Sequence, residues 1–380
     1  MLTKAAKKLR RQVLASLKKQ GYEVHRGLVQ IPSPADKSII RGLHGMAAAH
    51  RVTAAKELFL RKEDRLISFI ASGREIQPNH ISPRLELVEP NTDNELLFRY
   101  ASLHWSIPVS SGYGRRLRFL VFDDQNDKLI GLFGLGDPVY ALHDRDEWIG
   151  WASEQKRAKL YHVLDAYVLG AVPPYSMLLG GKLVAMLALS NEVRRAFRRK
   201  YFGTRTLINK QKREPYLCLI TTTSALGRSS LYNRIRTDGF DYWHSVGFTK
   251  GFGEFHFSNG MYGAIREFVE DRCEPTAKQT AWGIGFRNKR EVVRKCLPKL
   301  NLSPDLLHHG IEREVFAAPL GSNALRFLKG EVSRPGFFDW PARELAELCM
   351  ERWILPRASR RSEFALFDRS DYKLWREAEA

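Results

Sequence analysis

Acidic residues are scarce in this chain: 42 Asp and Glu stand against 61 Lys and Arg, a formal net charge of +19 over 380 residues. So large an excess destabilises the compact state by self-repulsion unless a polyanion is its usual company. Nucleic acid is the first such partner, because cations that neutralise phosphates gain affinity by releasing counterions. An anionic membrane is the second. Cysteine is scarcer still. Cys218, Cys273, Cys296 and Cys349 lie far apart, without a CxxC or a Cys/His pair at ligand spacing, so neither a disulfide scaffold nor a zinc site is encoded. Long apolar runs are missing as well. The most apolar stretch, Val168 to Ser190, is cut by Pro173-Pro174, Gly180-Gly181 and Lys182, and the N-terminal MLTKAAKKLRRQVLASLKKQ lacks the apolar centre of a secretory signal. A cytoplasmic protein with no membrane association is expected. There is no GxxxxGK[ST] phosphate loop, hence no motor of its own, and no PD followed by ExK for a metal nuclease.

What is present is the composition of a packed protein, 44% hydrophobic and 11% aromatic. Leu2, Ala6, Leu9, Val13 and Leu17 recur at helical spacing and predict a basic amphipathic helix over residues 1–20. Up to Arg26 there are eight basic residues, Lys7, Lys8 and Arg11 among them, against Glu23 alone. After the turn signal Ile31-Pro32-Ser33-Pro34, residues 37–70 read as helix ending at Ser72-Gly73, and the proline-rich 76–94 reads as a linker.

From Arg115 the pattern turns to strands. RRLRFLVF, the turn Asp123-Asp124-Gln125-Asn126-Asp127 and KLIGLFGL predict an antiparallel hairpin. Leu164–Val172 predicts a third strand, Met177–Ser190 a helix, and Tyr216–Thr223 a fourth strand. Helix at Ser229–Ile235, a β-like stretch at Ser245–Phe257 and helix at Met261–Asp271 follow. Beyond about 275 a basic segment and proline-bounded helices are expected. This order, with VPPYSMLLGGKLVAMLAL, resembles the core of the GNAT acetyltransferase fold over about residues 113–257. The resemblance implies a strand that splays from its neighbour and a glycine turn opening a helix whose N-terminal amides hold coenzyme A. Ser230-Leu231-Tyr232 and Val246-Gly247-Phe248 look like its distal elements. The phosphate loop departs from the family: Met177 stands where an Arg or Gln is expected, and Gly180-Gly181-Lys182 lacks a second, spaced glycine. No cofactor is expected.

The most one-sided charge lies at 194–213, RRAFRRKYFGTRTLINKQKR. Arg194, Arg195, Arg198, Arg199, Lys200, Arg205, Lys210, Lys212 and Arg213 occur there without a carboxylate, and Tyr201 and Phe202 offer stacking surfaces. A charge run can equally be a solvated helix face. Asp123, Asp124 and Asp127 are the densest acidic group, and they occupy a turn where aspartate is ordinary.

The blocks HWSIPVSSGYGRRLRFLVFD, LIGLFGLGDPVYALHDRDEWIGW, VLGAVPPYSMLLGGKLVAML and APLGSNALRFLKGE are similar to the DruA family, associated with the bacterial Druantia anti-phage defence systems. The similarity spans about residues 40–365 and implies a role in antiviral defence beside a large helicase-like protein. His104, Trp105, Asp137, Trp148, Trp151, Gly180, Gly181, Lys182, Ser230 and Tyr232 fall in its blocks or in the GNAT-like elements and are the pocket candidates; no catalytic residue is implied. The expected architecture is α+β: a helical basic module (1–75), a connector (76–112), a GNAT-like mixed-sheet core (113–272) and a C-terminal mixed region (273–380). The expected function is a nucleic-acid-binding sensor or accessory subunit, for DNA ahead of RNA. The alternatives are an acyl-CoA-dependent transferase or metal nuclease, and a structural subunit that docks acidic partners.

Overall fold

The computed structural model describes residues 2–25, 28–31, 36–107, 114–206, 210–237, 239–276, 282 and 286–375. The turn expected at Pro32–Pro34 and the centre of the basic segment, 207–209, lie outside them. The strands are β1 (Glu23–His25), β2 (Leu28–Gln30), β3 (Pro83–Leu87), β4 (Arg116–Asp123), β5 (Lys128–Gly136) and β6 (Val163–Ala171). They continue with β7 (Leu219–Thr223), β8 (Arg236–Thr237), β9 (Phe240–Asp241), β10 (His244–Phe248) and β11 (Glu314–Pro319). The first helices are α1 (Lys4–Gln20), α2 (Lys37–Phe59), α3 (Glu63–Ile67), α4 (Asp93–Ser102), α5 (His143–Ile149) and α6 (Ser153–Lys159). After them come α7 (Gly180–Leu187), α8 (Asn191–Tyr201), α9 (Met261–Glu270), α10 (Phe286–Lys299), α11 (Ala324–Leu328), α12 (Ala342–Cys349) and α13 (Leu355–Arg360).

Seven strands form one sheet in the order β10-β11-β7-β6-β5-β4-β3, antiparallel except for the parallel pair β6–β7. The predicted hairpin is β4–β5, and both strands are buried on both faces, as their near-continuous apolar runs require. β6 pairs with β7 only from Val163 to Ala166 but continues beside β5 to Ala171, so the two partners part beyond Ala166. A bulge leaves Tyr167 unpaired between the registers Ala166–Leu135 and Val168–Gly134.

One face of the sheet carries Phe119, Phe133, Leu164, Phe316 and Ala318 under α7 and α12. On the other face Leu120, Phe122 and Val168 pack with Phe59, Ile70, Leu97 and Phe98, while Val163, Leu219 and Ala317 pack with Trp151, Phe327 and Leu328. A separate helical core joins α1, through Leu9, Val13 and Leu17, to Val269 of α9 and Val293 of α10. Helix α1 forms as its periodicity dictates: Thr3 accepts from the Ala6 amide at 3.2 Å, and Gly21, at φ 98°, ends it. The helices of residues 1–75 thus serve two cores, α1 the helical one and α3 the sheet's.

The structure corrects five expectations. The linker read at 76–94 contains β3, an edge strand that tolerates Pro83 because it is the strand's first residue. Ser229–Ile235 is a 3-10 turn at Tyr232–Arg234 rather than a helix. The β-like stretch ends at Phe248, and the helix after Pro174 starts only at Gly180. The C-terminal region, read as helical, supplies β11 to the interior of the sheet between β7 and β10.

Candidate nucleic-acid interface

Helix α8 buries Val193, Ala196 and Phe197, an i, i+3, i+4 stripe, and so turns Arg195, Arg198, Arg199 and Lys200 outward. Arg195 leans on Glu192 at 3.7 Å; Arg198, Arg199 and Lys200 make no ion pair among the described residues. Their place in the last turn lets them complement the helix dipole, a few tenths to about 1 kcal/mol each, which explains part of the charge without a ligand. The chain then turns at Phe202-Gly203 into a narrow hairpin bridged between Arg205 and Lys212. Arg205 donates to the Lys210 carbonyl at 3.1 Å, while exposed Lys210 and Lys212 keep their ammonium groups in solvent. Phe202 is 62% exposed.

Three residues of the basic segment are committed elsewhere. Arg194 bonds Asn191 and the Phe338 carbonyl and lies over the Phe337 ring, so it anchors α8. Arg213 bonds the Ala158 carbonyl and Gln211. The Tyr201 hydroxyl accepts from the Arg116 amide at 2.8 Å and donates to the Arg116 carbonyl at 3.1 Å, which fastens α8 to β4 rather than leaving a ring free for bases. On α1, Lys7, Lys8 and Arg11 are exposed, whereas Arg10 ties the helix to the carbonyls of Leu300 and Asn301.

The pocket candidates are spread over separate parts of the molecule. His104 is exposed and stacks on Tyr372 at 3.8 Å. Trp105, half-buried, covers Gly170 and accepts through its carbonyl from Arg51. Asp137 pairs with Arg115 at 2.6 Å. Trp148 tilts against His244 at 5.8 Å, and Trp151 is 9% exposed with its indole N–H on Asp146 at 3.1 Å.

Gly180, Gly181, Lys182 and Tyr232 come together at the start of α7, while Trp148 and Trp151 share another core. A Cβ on Gly180 would stand 2.7 Å from the Tyr175 carbonyl, and one on Gly181 2.9 Å from Leu231. The Lys182 ammonium donates to the Arg234 carbonyl at 3.1 Å and lies 4.5 Å from the Trp353 ring centroid. The turn at 231–234 therefore covers the start of α7. Ser230 is exposed, and Ser229 caps the turn, accepting from Leu231 and Tyr232. The acidic turn is spent as well: Asp123 accepts from Ser82 and Tyr175, and Asp124 and Asp127 both pair with Arg84. Among the described residues no cluster of three or more His, Cys, Asp or Glu is placed to hold a metal, and no helix is long and apolar enough to cross a membrane.

Sequence reading missed two organising carboxylates. Glu314, 3% exposed, accepts from the Ser229 amide, Ser245 and Asn233 and holds the turn over α7. Asp146 accepts from Arg145, Trp151 and Lys156; the Arg145 side chain is 0% exposed and also bonds the carbonyls of Val139 and Tyr140. The pairing of Asp146 with Trp151, five residues on, was the one local cue.

The protein is thus an α+β protein with a mixed sheet and a basic helix-hairpin flank. The family described as Druantia protein DruA matches residues 34–330. A curated relative, "Druantia protein DruA" of Escherichia coli (strain UMEA 4076-1), is 41% identical over 368 residues, 96% of this chain and 90% of the relative. The chain belongs to the DruA family and is a component of an anti-phage defence system. No solved structure matches it.

Proposed function

We propose that the chain is the nucleic-acid-binding sensor or accessory subunit of its defence system, acting in the cytoplasm on DNA ahead of RNA. The observation that carries this reading is the outward row Arg198, Arg199 and Lys200, without carboxylate partners among the described residues, continued by Arg205, Lys210 and Lys212 on the hairpin. Solubility alone does not call for nine cations and no acid in one segment. Since the sequence has no phosphate loop of its own, unwinding belongs to another subunit of the system, a helicase-like partner. The test is reversal of Arg198, Arg199 and Lys200 to Glu. Three lost phosphate contacts lower the slope of log K against log salt by roughly 2.7 on a duplex. Unchanged affinity and slope in a folded variant would remove α8 from the interface.

The GNAT-like reading of the core is supported by the β4–β5 hairpin, by β6 parting from β7 after Ala166, and by α7 opening at Gly180. An acyl-CoA-dependent reaction is the second reading, and those features favour it. Against it, Leu231 abuts Gly181, and the Arg234 carbonyl occupies Lys182 where a pyrophosphate would lie.

A further inference from the structure

Beside the N-terminal end of α8 lies a groove of about 420 Å³, lined by Phe240, Asp241, His244, Ser322, Arg326 and Phe338 among others. Its wall is aromatic. Phe338 and Trp340 stack with centroids 4.5 Å apart at 22°, and Phe240, 40% exposed, stands edge-on to them at 5.6 and 5.9 Å. The groove continues the basic face: the Asn191 amide donates to the Trp340 carbonyl at 2.8 Å, and Arg194 donates to the Phe338 carbonyl at 2.8 Å. From Asn191 to Arg198 the helix rises about 10 Å, a distance that a nucleotide or two can cover.

The charges decide what enters. Arg326 and Lys329 share the single carboxylate of Glu331, at 3.3 and 2.7 Å, which leaves one positive charge between them. The Asp241 carboxylate has no hydrogen bond or ion pair among the described residues. Asp241 balances that remaining charge, so the groove has no net charge with which to hold a phosphate. It accepts a flat apolar ring that brings its own donor, because an ionised carboxylate can only accept hydrogen bonds.

We propose that this groove is a base pocket for single-stranded nucleic acid: the strand's phosphates run along α8 while one unstacked base packs on Phe240 and Phe338. Its exocyclic amino group donates to Asp241, so adenine and cytosine are favoured over thymine. The proposal rests on the nucleic-acid reading above and deepens it.

The test measures anisotropy of labelled dA, dC and dT homopolymers and of a matched duplex with the full chain. Phe240→Leu keeps the apolar volume and removes the ring face. It should weaken single-strand binding about 5- to 150-fold, the range of one lost stacked base, with the salt slope, the duplex affinity and the melting temperature unchanged. Asp241→Asn, a surface change, should erase the preference for dA and dC over dT. Wild-type single-strand affinity in folded Phe240→Leu, or no base preference in the wild type, overturns the pocket. Loss of all binding on reversal of Arg198, Arg199 and Lys200, with Phe240→Leu silent, overturns the pocket alone. A wild-type protein that binds neither form overturns both readings.

Discussion

Replacing Asp146 by Asn keeps the shape of the side chain and deletes the charge on which three neighbours converge. In the folded protein Asp146 accepts from Arg145 at 2.6 and 2.9 Å, from Lys156 at 2.7 Å and from Trp151 at 3.1 Å. The Arg145 side chain has no exposure, and its remaining partners are the neutral carbonyls of Val139 and Tyr140. Without Asp146 its charge stays buried with no ion-paired carboxylate and only the longer-range attraction of Asp165, and breaking comparable pairs costs about 3–5 kcal/mol. Unfolding entropy near 2.1 cal/mol/K per residue amounts to about 0.8 kcal/mol/K for this length, so the midpoint should fall by roughly 4–6 °C. Acid provides a second readout. Burial pushes the Asp146 pKa upward, but the hydrogen bonds and charges of Lys156 and Arg145 outweigh it and hold the group below its ordinary value. A depressed carboxylate stabilises the fold above its unfolded value, near 3.9, and loses that contribution as pH falls through the folded value. The gap between wild type and Asp146→Asn should therefore be full at neutral pH and narrow below about pH 4. Thermal melts followed by circular dichroism measure both. A shift under about 1 °C, or a gap that widens in acid, would refute the assignment of Asp146 as Arg145's counter-charge.

Trp151→Ala should cost about 3–5 kcal/mol, since a buried indole and its bond to Asp146 go together; an unchanged melting temperature with lost single-strand binding would instead make Trp151 a stacking platform. Calorimetry with acetyl-coenzyme A should record no binding at physiological concentration; micromolar affinity that vanishes on Gly180→Leu would restore the transferase reading. His44, His256 and His309 are each 5% exposed or less, and burial lowers them to about 3, 4 and 2. The unfolded chain takes up their protons first, so the helical core should weaken steadily as pH falls from about 6.5 towards 4, seen as loss of hydrogen-exchange protection in α1 and α9. Protection that stays level over that range argues against neutral, buried rings.

The elements read well from sequence are those whose pattern is local. The β4–β5 hairpin announces itself through two apolar runs about an aspartate-rich turn, and α1 through its heptad-like stripe. β11 does not: EVFAAP is a short apolar run without turn residues on both sides, and only pairing with distant β7 and β10 makes it a strand. The turn at 229–235 carries a serine cap and reads as a helix, yet Glu314, fixed on β11, pulls its amide and Asn233 into a tight 3-10 geometry. The basic face was legible as charge, but the fate of each residue was not. Tyr201, one of the two expected stacking rings, is consumed by β4, while Phe240 and Phe338 are brought together from segments nearly a hundred residues apart.

The position of β11 also orders events during synthesis. Until Pro319 emerges from the ribosome, β7 and β10 have no common neighbour, and Glu314 is absent from the turn over α7. The first helix made is in the same position, because its apolar stripe packs on Val269 and Val293. Domains of ordinary chains close from the N-terminus as they are made. Here α1 waits for Val293 and the β7 edge for Pro319, so nascent chains stalled short of Pro319 should be cleaved around β7 and β10 and gain protease resistance there once β11 is made. A chain built this way closes its sheet late, after most of its strands have been made.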